Sequence, residues 1–251
     1  MMILIIRMGD DMTELETFQK IIDESNYIVF FGGAGVSTES GIKDFRGKNG
    51  LYKTKTKVKT NKPPEYMLSH DCLYKEPELF YEYYKENMNI LNSNPNVTHK
   101  YLKKLEDNGK LKAIVTQNVD GLHQKAGSSN VLEIHGNIRD YYCTRCGKEY
   151  KKNVFIEKGV PICSCGGMVR PDVVLFGEML PACFNDALEY ISKADLLIVA
   201  GTSLAVEPAA SLVRLFNGKH LVIINDNKTP YDMIADLVIN KPLKEVFSKL
   251  K

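Results

Sequence analysis

The chain has 251 residues, of which 44% are hydrophobic and 25% are charged, values that are ordinary for a soluble globular protein. Its net charge of +2 is too small to indicate binding to nucleic acid or to an acidic membrane. No apolar run approaches the roughly 18 residues of a membrane span, and the short apolar start, 1–6, lacks the basic leader and cleavage site of a signal peptide. We therefore expect a cytoplasmic protein with no membrane or direct nucleic-acid partner, and we take it to be a monomer.

The first predicted elements are a helix, a strand and a glycine-rich loop. Thr13 is a candidate N-cap, with Glu16 three residues later and apolar residues at helical spacing as far as residue 25. A strand over 27–31 follows and leads into the loop FFGGAGVSTESGIKDFRG. The next segment, 48–64, contains six lysines together with glycine and proline, which predicts a solvated, mobile loop.

Strands and helices alternate along the rest of the chain. The pattern predicts strands over 113–116, 131–134, 173–176, 196–200 and 221–225, and helices over 76–91, 99–108, 183–192 and 208–216. Continuous apolar runs are typical of parallel strands that are covered on both faces. We therefore predict an α/β fold with a Rossmann-like doubly wound parallel sheet. Ligands of such sheets bind beyond the carboxyl ends of the strands, where the polar clusters of this chain lie.

Four of the six cysteines form two close pairs. In a chain with no export signal, paired cysteines indicate a metal site rather than a disulfide. Four thiolates suit one tetrahedral zinc ion, and because the ligand set is then full, the metal is expected to be structural. The predicted ligands are Cys143, Cys146, Cys163 and Cys165.

The glycine loop matches a phosphate-binding turn only in part. Gly33–Thr38 follows a strand, so its backbone N–H groups can face a phosphate, but threonine replaces the last glycine of the Gly-x-Gly-x-x-Gly pattern, and a simple tight turn is the alternative. A dehydrogenase would carry an acidic residue about twenty positions further on, where this chain reads KTKTK. Next, Asp44, Phe45 and Arg46 offer an arginine for a phosphate or carbonyl and an aromatic wall, or only a surface ion pair and a core phenylalanine.

Polar side chains follow two further strands. Gln117, Asn118 and Asp120 suit a carboxamide or a ribose, although helix capping is the alternative. His135 ends a strand at the ligand edge, and because imidazole titrates near neutrality it is the candidate general base, with a purely structural histidine as the alternative. We expect His123 to start a helix and point away from the site.

Two later strand ends also carry small or polar residues, GTS at 201–203 and ND at 225–226. Each is either an ordinary turn or part of a site for the far half of a dinucleotide. With the preceding motifs they indicate a family: the chain resembles the sirtuins, NAD-dependent protein-lysine deacylases, from about residue 21 to 250. The resemblance rests on GAGVS at 33–37, SGI at 40–42, DFR at 44–46, QNVDGLH at 117–123, EIHGN at 133–137, RPDVVLFGE at 170–178 and GTS at 201–203.

The resemblance implies that NAD is consumed as a co-substrate and that acyl groups leave the lysine side chains of proteins or peptides, giving nicotinamide, O-acyl-ADP-ribose and free lysine. It implies a Rossmann-like NAD-binding domain over 12–47, 96–140 and 171–251, a helical module with a flexible cofactor loop over 48–95, and a zinc-binding module over 141–170. The implied catalytic residues are His135 and Asn118. The implied NAD-binding residues are Gly33, Ala34, Gly35, Thr38, Asp44, Phe45, Arg46, Gln117, Asn118, Val119, Asp120, His135, Gly201, Thr202, Ser203, Asn225 and Asp226.

The same resemblance implies where each part of the substrates binds. The loop 34–38 would hold phosphates, Phe45 and Arg46 would lie beside the nicotinamide ribose, and the carboxamide would lie near Val119 and Asp120. The adenosine half would contact 202–203 and 225. The substrate main chain would pair, as an added strand, with Val174, Leu175, Phe176, Gly177 and Glu178.

Three positions depart from the family pattern. Gly32 stands where the family usually has threonine or serine, and the second cysteine pair is one residue shorter than usual. Sirtuins that prefer succinyl or malonyl lysine place tyrosine and arginine three residues apart in the segment that corresponds to 80–85 of this chain. Here Tyr81 is followed by Tyr84 at the arginine position, and Glu82 adds a negative charge. We therefore predict neutral acyl substrates, acetyl or longer.

Three other functions stay open. An ADP-ribosyltransferase or NAD glycohydrolase on the same scaffold would release nicotinamide without an acyl-lysine peptide. A dehydrogenase would produce NADH. A binding module that is stabilised by zinc and senses NAD would bind NAD without turnover.

Overall fold

The computed structural model describes residues 12–47, 50–54, 56–88, 90, 92–151 and 159–251. The apolar start, 1–6, and three positions of the predicted lysine-rich loop lie outside the described residues. In the part of that loop that is described, Val58 is buried against the helices that follow, so the segment is not solvated throughout.

Nine strands are described, and they form two sheets. In chain order they are β1 (Ile28–Gly32), β2 (Leu111–Thr116), β3 (Val131–Glu133), β4 (Gly136–Cys143), β5 (Glu149–Lys151), β6 (Val169–Val173), β7 (Leu196–Ala200), β8 (His220–Ile224) and β9 (Leu237–Ile239). The larger sheet has the order β3-β2-β1-β7-β8-β9, and every neighbouring pair is parallel. The predicted parallel sheet is confirmed. β5, β4 and β6 form a separate antiparallel sheet.

Helices connect these strands. The described α-helices are α1 (Glu14–Glu24), α2 (Pro64–Met67), α3 (His70–Lys75), α4 (Pro77–Asn87), α5 (Val97–Asp107), α6 (Leu122–Lys125), α7 (Cys183–Lys193) and α8 (Leu243–Phe247). The described 3₁₀ helices are Ala34–Ser40, which we call the glycine-loop helix, Ala209–Leu215 and Asp232–Ile234. The predicted capping box at the start of α1 is confirmed: the Thr13 hydroxyl accepts from the Glu16 N–H at 3.3 Å, and the Thr13 N–H donates to the Glu16 carboxylate at 2.8 Å.

Helices cover both faces of the six-stranded sheet. Phe30 of β1 lies in an apolar cluster with Phe18 of α1, Leu102 of α5 and Phe247 of α8. The next residue, Phe31, belongs to the cluster on the opposite face, with α7 and the second 3₁₀ helix. All five residues of β1, β7 and β8 are buried, which is why these strands appear in the sequence as unbroken apolar runs.

One predicted strand of the parallel sheet is wrong. The run 173–176 was predicted to be a strand of the parallel sheet, but β6 ends at Val173 and pairs antiparallel with β4. Leu175 is instead buried among the helices of the helical module, beside Leu73 and Phe80, so a continuous apolar run did not distinguish a sheet core from a helix-covered loop. The predicted helical stretch over 208–216 is confirmed, and it is a 3₁₀ helix, Ala209–Leu215.

The smaller elements are inserted at two places between strands of the large sheet: α2, α3 and α4 between β1 and β2, and the antiparallel strands between β3 and β7. α2, α3 and α4 share a cluster of buried side chains with Ile138 of β4. β4 and β6 each cross one of the predicted module boundaries, at 140/141 and 170/171, and the division of the chain into three parts stays a prediction. The longest described α-helices have 11 residues, and none of those described has the length and apolar character that a bilayer crossing requires.

Two histidines are packed against each other in the core between α5 and α6. The rings of His99 and His123 have centroids 4.7 Å apart, and their exposed fractions are 0% and 1%. Nε2 of His99 and both ring nitrogens of His123 have no hydrogen-bond partner in the described part of the chain. Burial lowers the pKa of His99 to about 4, and burial together with the neighbouring His99 holds the pKa of His123 well below its usual value of 6.5. His123 starts α6 and points into the core, as expected from the sequence.

The buried histidine pair predicts a loss of stability in acid. In the unfolded chain both rings take up protons below about pH 6.5, whereas in the fold they stay neutral, so the free energy of unfolding falls as the pH falls. At pH 5 each histidine that stays neutral in the fold lowers the stability by about 2 kcal/mol relative to pH 7. We expect His123→Phe, whose ring is planar like imidazole but larger, to lose less stability than the wild type does between pH 7 and pH 5.

Urea unfolding of the two proteins at pH 7 and pH 5 measures this difference. His70→Phe is the matched control, because His70 is exposed and its loss leaves the acid sensitivity unchanged. Identical pH dependence of His123→Phe and the wild type would show that the buried pair is not the origin of the effect.

Candidate functional site

The carboxyl ends of β1, β2, β3, β7 and β8 lie at one edge of the parallel sheet, and the glycine loop is packed tightly against the loop after β7. The Gly35 N–H donates to the Gly201 carbonyl at 2.8 Å. A Cβ at Gly35 would lie 2.7 Å from the Gly201 Cα, and one at Gly33 would lie 2.8 Å from the Thr202 Cβ. The two loops approach each other so closely that these positions require glycine.

A buried hydrogen-bond cluster joins the glycine-loop helix to the polar segment after β2. The Ser37 hydroxyl donates to the Asp120 carboxylate at 2.7 Å and accepts from the Asn118 amide at 3.1 Å. Both residues of the second segment are 8% exposed, and Ser37 is 1% exposed. Ser37 and Asp120 are 83 positions apart in the sequence. Their contact places the Asp120 carboxylate and the Asn118 carboxamide side by side, with little exposure to solvent.

Burial raises the pKa of Asp120, while the hydrogen bonds from Ser37 and from the Leu122 N–H, and the nearby charge of Arg139, oppose that rise. Arg139 itself forms two hydrogen bonds to the Glu133 carboxylate and lies over Gly121, where a Cβ would meet its guanidinium at 2.2 Å. The loop that carries Asp120 is therefore held from both sides, by the glycine loop and by β4.

His135 lies between β3 and β4, beside the same segment. Its Nδ1 is 3.1 Å from the Gln117 carbonyl, and because a carbonyl only accepts, Nδ1 carries the proton and Nε2 keeps a free lone pair. Burial lowers the pKa of His135, and the hydrogen bond to Gln117 opposes that shift in part. At neutral pH the ring is consequently neutral and able to accept a proton at Nε2.

The ends of β7 and β8 make fewer hydrogen bonds to this part of the site. The Gln117 amide donates to the Thr202 hydroxyl at 3.1 Å, and the Gly201 N–H donates to the Ile224 carbonyl at 3.0 Å. Ser203 and Asp226 are exposed. The Asn225 amide is turned to the Asn227 carbonyl at 2.7 Å, a contact within its own turn.

The segment after the glycine loop folds back on itself. The Leu51 and Tyr52 N–H groups donate to the carbonyls of Asp44 and Phe45 at 2.8 and 3.0 Å. The exposed Arg46 has its guanidinium 5.3 Å from the centre of the Tyr52 ring. Phe45 packs against the apolar cluster of the helical module, as does Val119 from the segment after β2. Among the described residues, no hydrogen bond joins Arg46 to the sheet-edge cluster.

The predicted peptide-binding segment, Val174–Glu178, is connected directly to the candidate base. The Val174 N–H donates to the His135 carbonyl at 2.9 Å, and Phe176 exchanges two backbone hydrogen bonds with α2 and α3, to Leu68 and from His70, each of 3.0 Å. The segment ends in a turn, in which the Glu178 N–H donates to the Leu175 carbonyl at 3.0 Å. A buried ion pair between Arg170 and Glu178 holds this turn in place.

The four predicted zinc ligands lie together. All four Sγ atoms are within 4.8 Å of one another, with 3.4 Å between those of Cys143 and Cys165 and 3.7 Å between those of Cys146 and Cys163. A tetrahedron with Zn–S bonds of about 2.3 Å has edges of about 3.8 Å, so the set fits one zinc ion despite the short second pair. Hydrogen bonds from the Cys165 N–H and from the Tyr150 hydroxyl, the latter at 3.0 Å, lower the pKa of Cys163 to about 6, which favours the thiolate that a metal binds.

Several residues of the site escaped sequence reasoning. Ser37 was part of the glycine motif but was not among the predicted site residues, and its role as the centre of the buried cluster depends on a contact with a distant segment. The Arg170–Glu178 and Glu133–Arg139 pairs were also missed. In each pair the charged residues are eight or six positions apart, which is wider than the three or four positions that separate contacting charges on a helix, so the spacing alone does not indicate an ion pair.

The parallel sheet with polar strand ends, together with the cysteine cluster, defines an α/β protein that combines a strand-end ligand site with a small metal-binding module. A sequence model described as the Sir2 family matches residues 33–208. The chain therefore belongs to the Sir2 family.

Curated relatives and solved structures agree over nearly the whole chain. An NAD-dependent protein deacetylase of Clostridium acetobutylicum is 52% identical over 237 residues, which is 93% of this chain and 96% of that protein. One of Staphylococcus aureus is 45% identical over 240 residues, 94% of this chain and 98% of that protein. A solved Sir2 complex with a p53 peptide and NAD+ has a TM-score of 0.82 at 40% identity, and covers 94% of this chain and 97% of that one.

Proposed function

We propose that the protein removes acyl groups from the lysine side chains of proteins in an NAD-dependent reaction that gives nicotinamide, O-acyl-ADP-ribose and free lysine. The observation that carries this proposal is the meeting of Ser37, Asn118, Asp120 and His135 at one edge of the parallel sheet. The deacetylase relatives, about half identical over more than nine-tenths of the chain, support the same reaction.

NAD supplies the ADP-ribosyl group that takes up the acyl group, and the residues at the sheet edge fit it. The glycines at 33, 35 and 201 let two loops pack closely at a strand end, a position that suits a pyrophosphate, with Ala34 and Thr38 in the same turn. The N–H groups of these three glycines donate to backbone carbonyls, so other groups of the turn would contact the phosphates. Asn118 and Asp120 offer a donor and an acceptor for a carboxamide, with Val119 between them. Phe45 packs on the same apolar cluster as Val119, which supports a place beside the nicotinamide ribose.

Thr202, Ser203, Asn225 and Asp226 would hold the adenosine half. Their positions after β7 and β8, two neighbouring strands, support this role, because the Gly201 N–H ties the two strand ends together. The exposed Arg46, two residues after Asp44, would contact a phosphate or a carbonyl of NAD. The roles of these residues are proposals that single substitutions test through NAD affinity.

His135 would act as the general base on a ribose hydroxyl, and Asn118 would orient the reacting groups. Nε2 of His135 is the nitrogen that accepts the proton, since Nδ1 donates to the Gln117 carbonyl. The substrate main chain would add to Val174–Glu178, whose Val174 N–H is bonded to the carbonyl of the base itself, so that a bound peptide lies close to His135.

Assay of the purified protein with NAD and an acetyl-lysine peptide tests the proposal. We expect nicotinamide, deacetylated peptide and O-acetyl-ADP-ribose in equal amounts. Nicotinamide without deacetylated peptide would favour an ADP-ribosyltransferase or glycohydrolase, and NADH would indicate a dehydrogenase. Binding of NAD with no turnover would indicate a sensing module.

Neutral acyl groups are the expected substrates. The Tyr81 hydroxyl donates to the Val169 carbonyl and is 2% exposed, and Tyr84 is buried and stacked on Phe80, so neither hydroxyl is exposed to an acyl carboxylate. Burial raises the pKa of Tyr84 further above its usual value, and the ring stays neutral. A solved Sir2 bound to a propionylated peptide, with a TM-score of 0.83 at 38% identity, shows that a relative binds a neutral acyl chain longer than acetyl.

We therefore expect kcat/KM for a succinyl-lysine peptide to be at least about a hundredfold below that for the acetyl-lysine peptide, since an unpaired buried carboxylate costs several kcal/mol. A propionyl-lysine peptide of the same sequence is the control for chain length. Comparable turnover of the succinyl and acetyl peptides would refute the preference. The cytoplasmic location, the monomeric state and the lack of direct nucleic-acid binding stay predictions.

A further inference from the structure

We propose that Asn96 is a positioning residue for NAD, an inference that rests on the proposed function. Its amide nitrogen donates to the Val36 carbonyl at 2.8 Å and to the Ser40 hydroxyl at 3.1 Å. These two acceptors lie on either side of Ser37, whose hydroxyl is shared by Asn118 and Asp120. One side chain outside the ligand-facing surface thus holds the turn that carries the centre of the buried cluster.

The two ends of the Asn96 carboxamide have separate functions. The oxygen accepts from the Thr98 N–H at 3.0 Å and caps α5, a helix of 11 residues. Within the described part of the chain, the hydrogen bonds of the nitrogen go to the glycine-loop helix and none goes to α5. A substitution that keeps an oxygen and removes the nitrogen can therefore change the loop and leave the helix cap intact.

The loop has other anchors, at Ser37 and at Glu39, whose carboxylate accepts from the Lys244 N–H at 3.0 Å, but in the described part of the chain the Asn96 nitrogen is what joins the Val36 carbonyl to the Ser40 hydroxyl. At its start the Gly35 N–H is bonded to Gly201, and at its end the chain turns through Gly41 with a φ of 82°. Its outer side faces an open groove of about 500 Å³ that is lined by Glu39, Ser40, Ile90 and 92–96. Without the Asn96 nitrogen, water in this groove would take over the bonds to Val36 and Ser40, and the 2.7 Å contact of Ser37 with Asp120 would lose its support.

Asn96→Asp is the sharpest variant. Aspartate caps a helix as well as asparagine does, but its second oxygen would face the Val36 carbonyl, where the nitrogen now donates. We expect the Kd and KM for NAD to rise about tenfold or more, the KM for the acyl peptide to change less than twofold, and the melting temperature to stay within a few degrees of the wild type. A purely structural residue would instead lower the melting temperature and leave the Kd of the folded fraction unchanged.

Asn94→Asp is the matched control, because it adds the same charge two residues away at an exposed position. We expect its Kd for NAD to equal that of the wild type. Asn96→Ser keeps a capping oxygen without the repulsion and should fall between the wild type and Asn96→Asp, and it carries the test if Asn96→Asp does not fold. An unchanged Kd in folded Asn96→Asp or Asn96→Ser, or an equal rise in Asn94→Asp, overturns the inference.

NAD affinity measured by calorimetry without peptide separates this inference from the proposed function. A wild-type protein that binds NAD but releases no nicotinamide with acyl peptide contradicts the proposed function alone, and the Asn96 comparison still decides the inference. A wild-type protein that binds no NAD overturns both.

Discussion

His135→Ala is expected to abolish most of the deacylation activity while leaving the fold and the zinc content intact. General-base catalysis by a positioned side chain contributes about 10²–10⁴-fold to a rate, and kcat should fall by that factor. The ring is only partly buried and its one described hydrogen bond is to the Gln117 carbonyl, so its removal does not disturb the sheet. Steady-state release of nicotinamide, with circular dichroism to check the fold, measures the effect.

His220→Ala provides the matched control. His220 starts β8, at the opposite end of the strands from the site, so its loss should change kcat by less than about twofold even if stability decreases. Near-native activity of His135→Ala would remove His135 from the mechanism. A loss of helix and sheet signal in that variant would point to a structural role instead.

Removal of the metal is expected to unfold the small antiparallel sheet and to inactivate the protein. Among the described residues, the buried apolar cluster of this sheet contains four, Tyr141, Cys143, Cys163 and Val169, with the half-buried Tyr150 packed against them, and two of the four are predicted ligands. A core of this size does not hold three short strands together, so metal binding supplies the missing free energy of folding. Because β4 begins directly after His135, and Gly136 pairs with Val173, the disorder should reach the active site.

We expect the purified protein to contain one zinc ion per chain, and a strong chelator to lower the melting temperature and the activity together. Cys183→Ala is the control, since this half-buried cysteine lies outside the cluster and its loss should leave the zinc content unchanged. Tyr150→Phe should weaken zinc binding about ten- to a hundredfold, because it removes the hydroxyl that donates to Cys163. A protein that contains no zinc, or that keeps its melting temperature in the chelator, would contradict this role.

The sequence by itself determined the parallel sheet and the set of polar strand ends. β1, β7 and β8 are buried along their whole length, and burial on both faces demands the unbroken apolar runs from which they were predicted. Parallel strands end at a common edge, so the motifs after β1, β2 and β7 had to meet there once the fold was known. The spacing of the cysteine pairs was likewise sufficient to predict a cluster.

Only the tertiary structure decided which partners these residues have. The apolar run 173–176 matched a sheet strand as well as it matched the loop covered by the helical module, since burial alone does not specify the neighbour that provides it. The hydrogen bonds of Ser37 to Asp120 and of Asn96 to Val36 join residues 83 and 60 positions apart. Local sequence patterns do not predict such pairs. The pairs form only when the packing of the sheet and helices brings two distant loops within hydrogen-bonding distance.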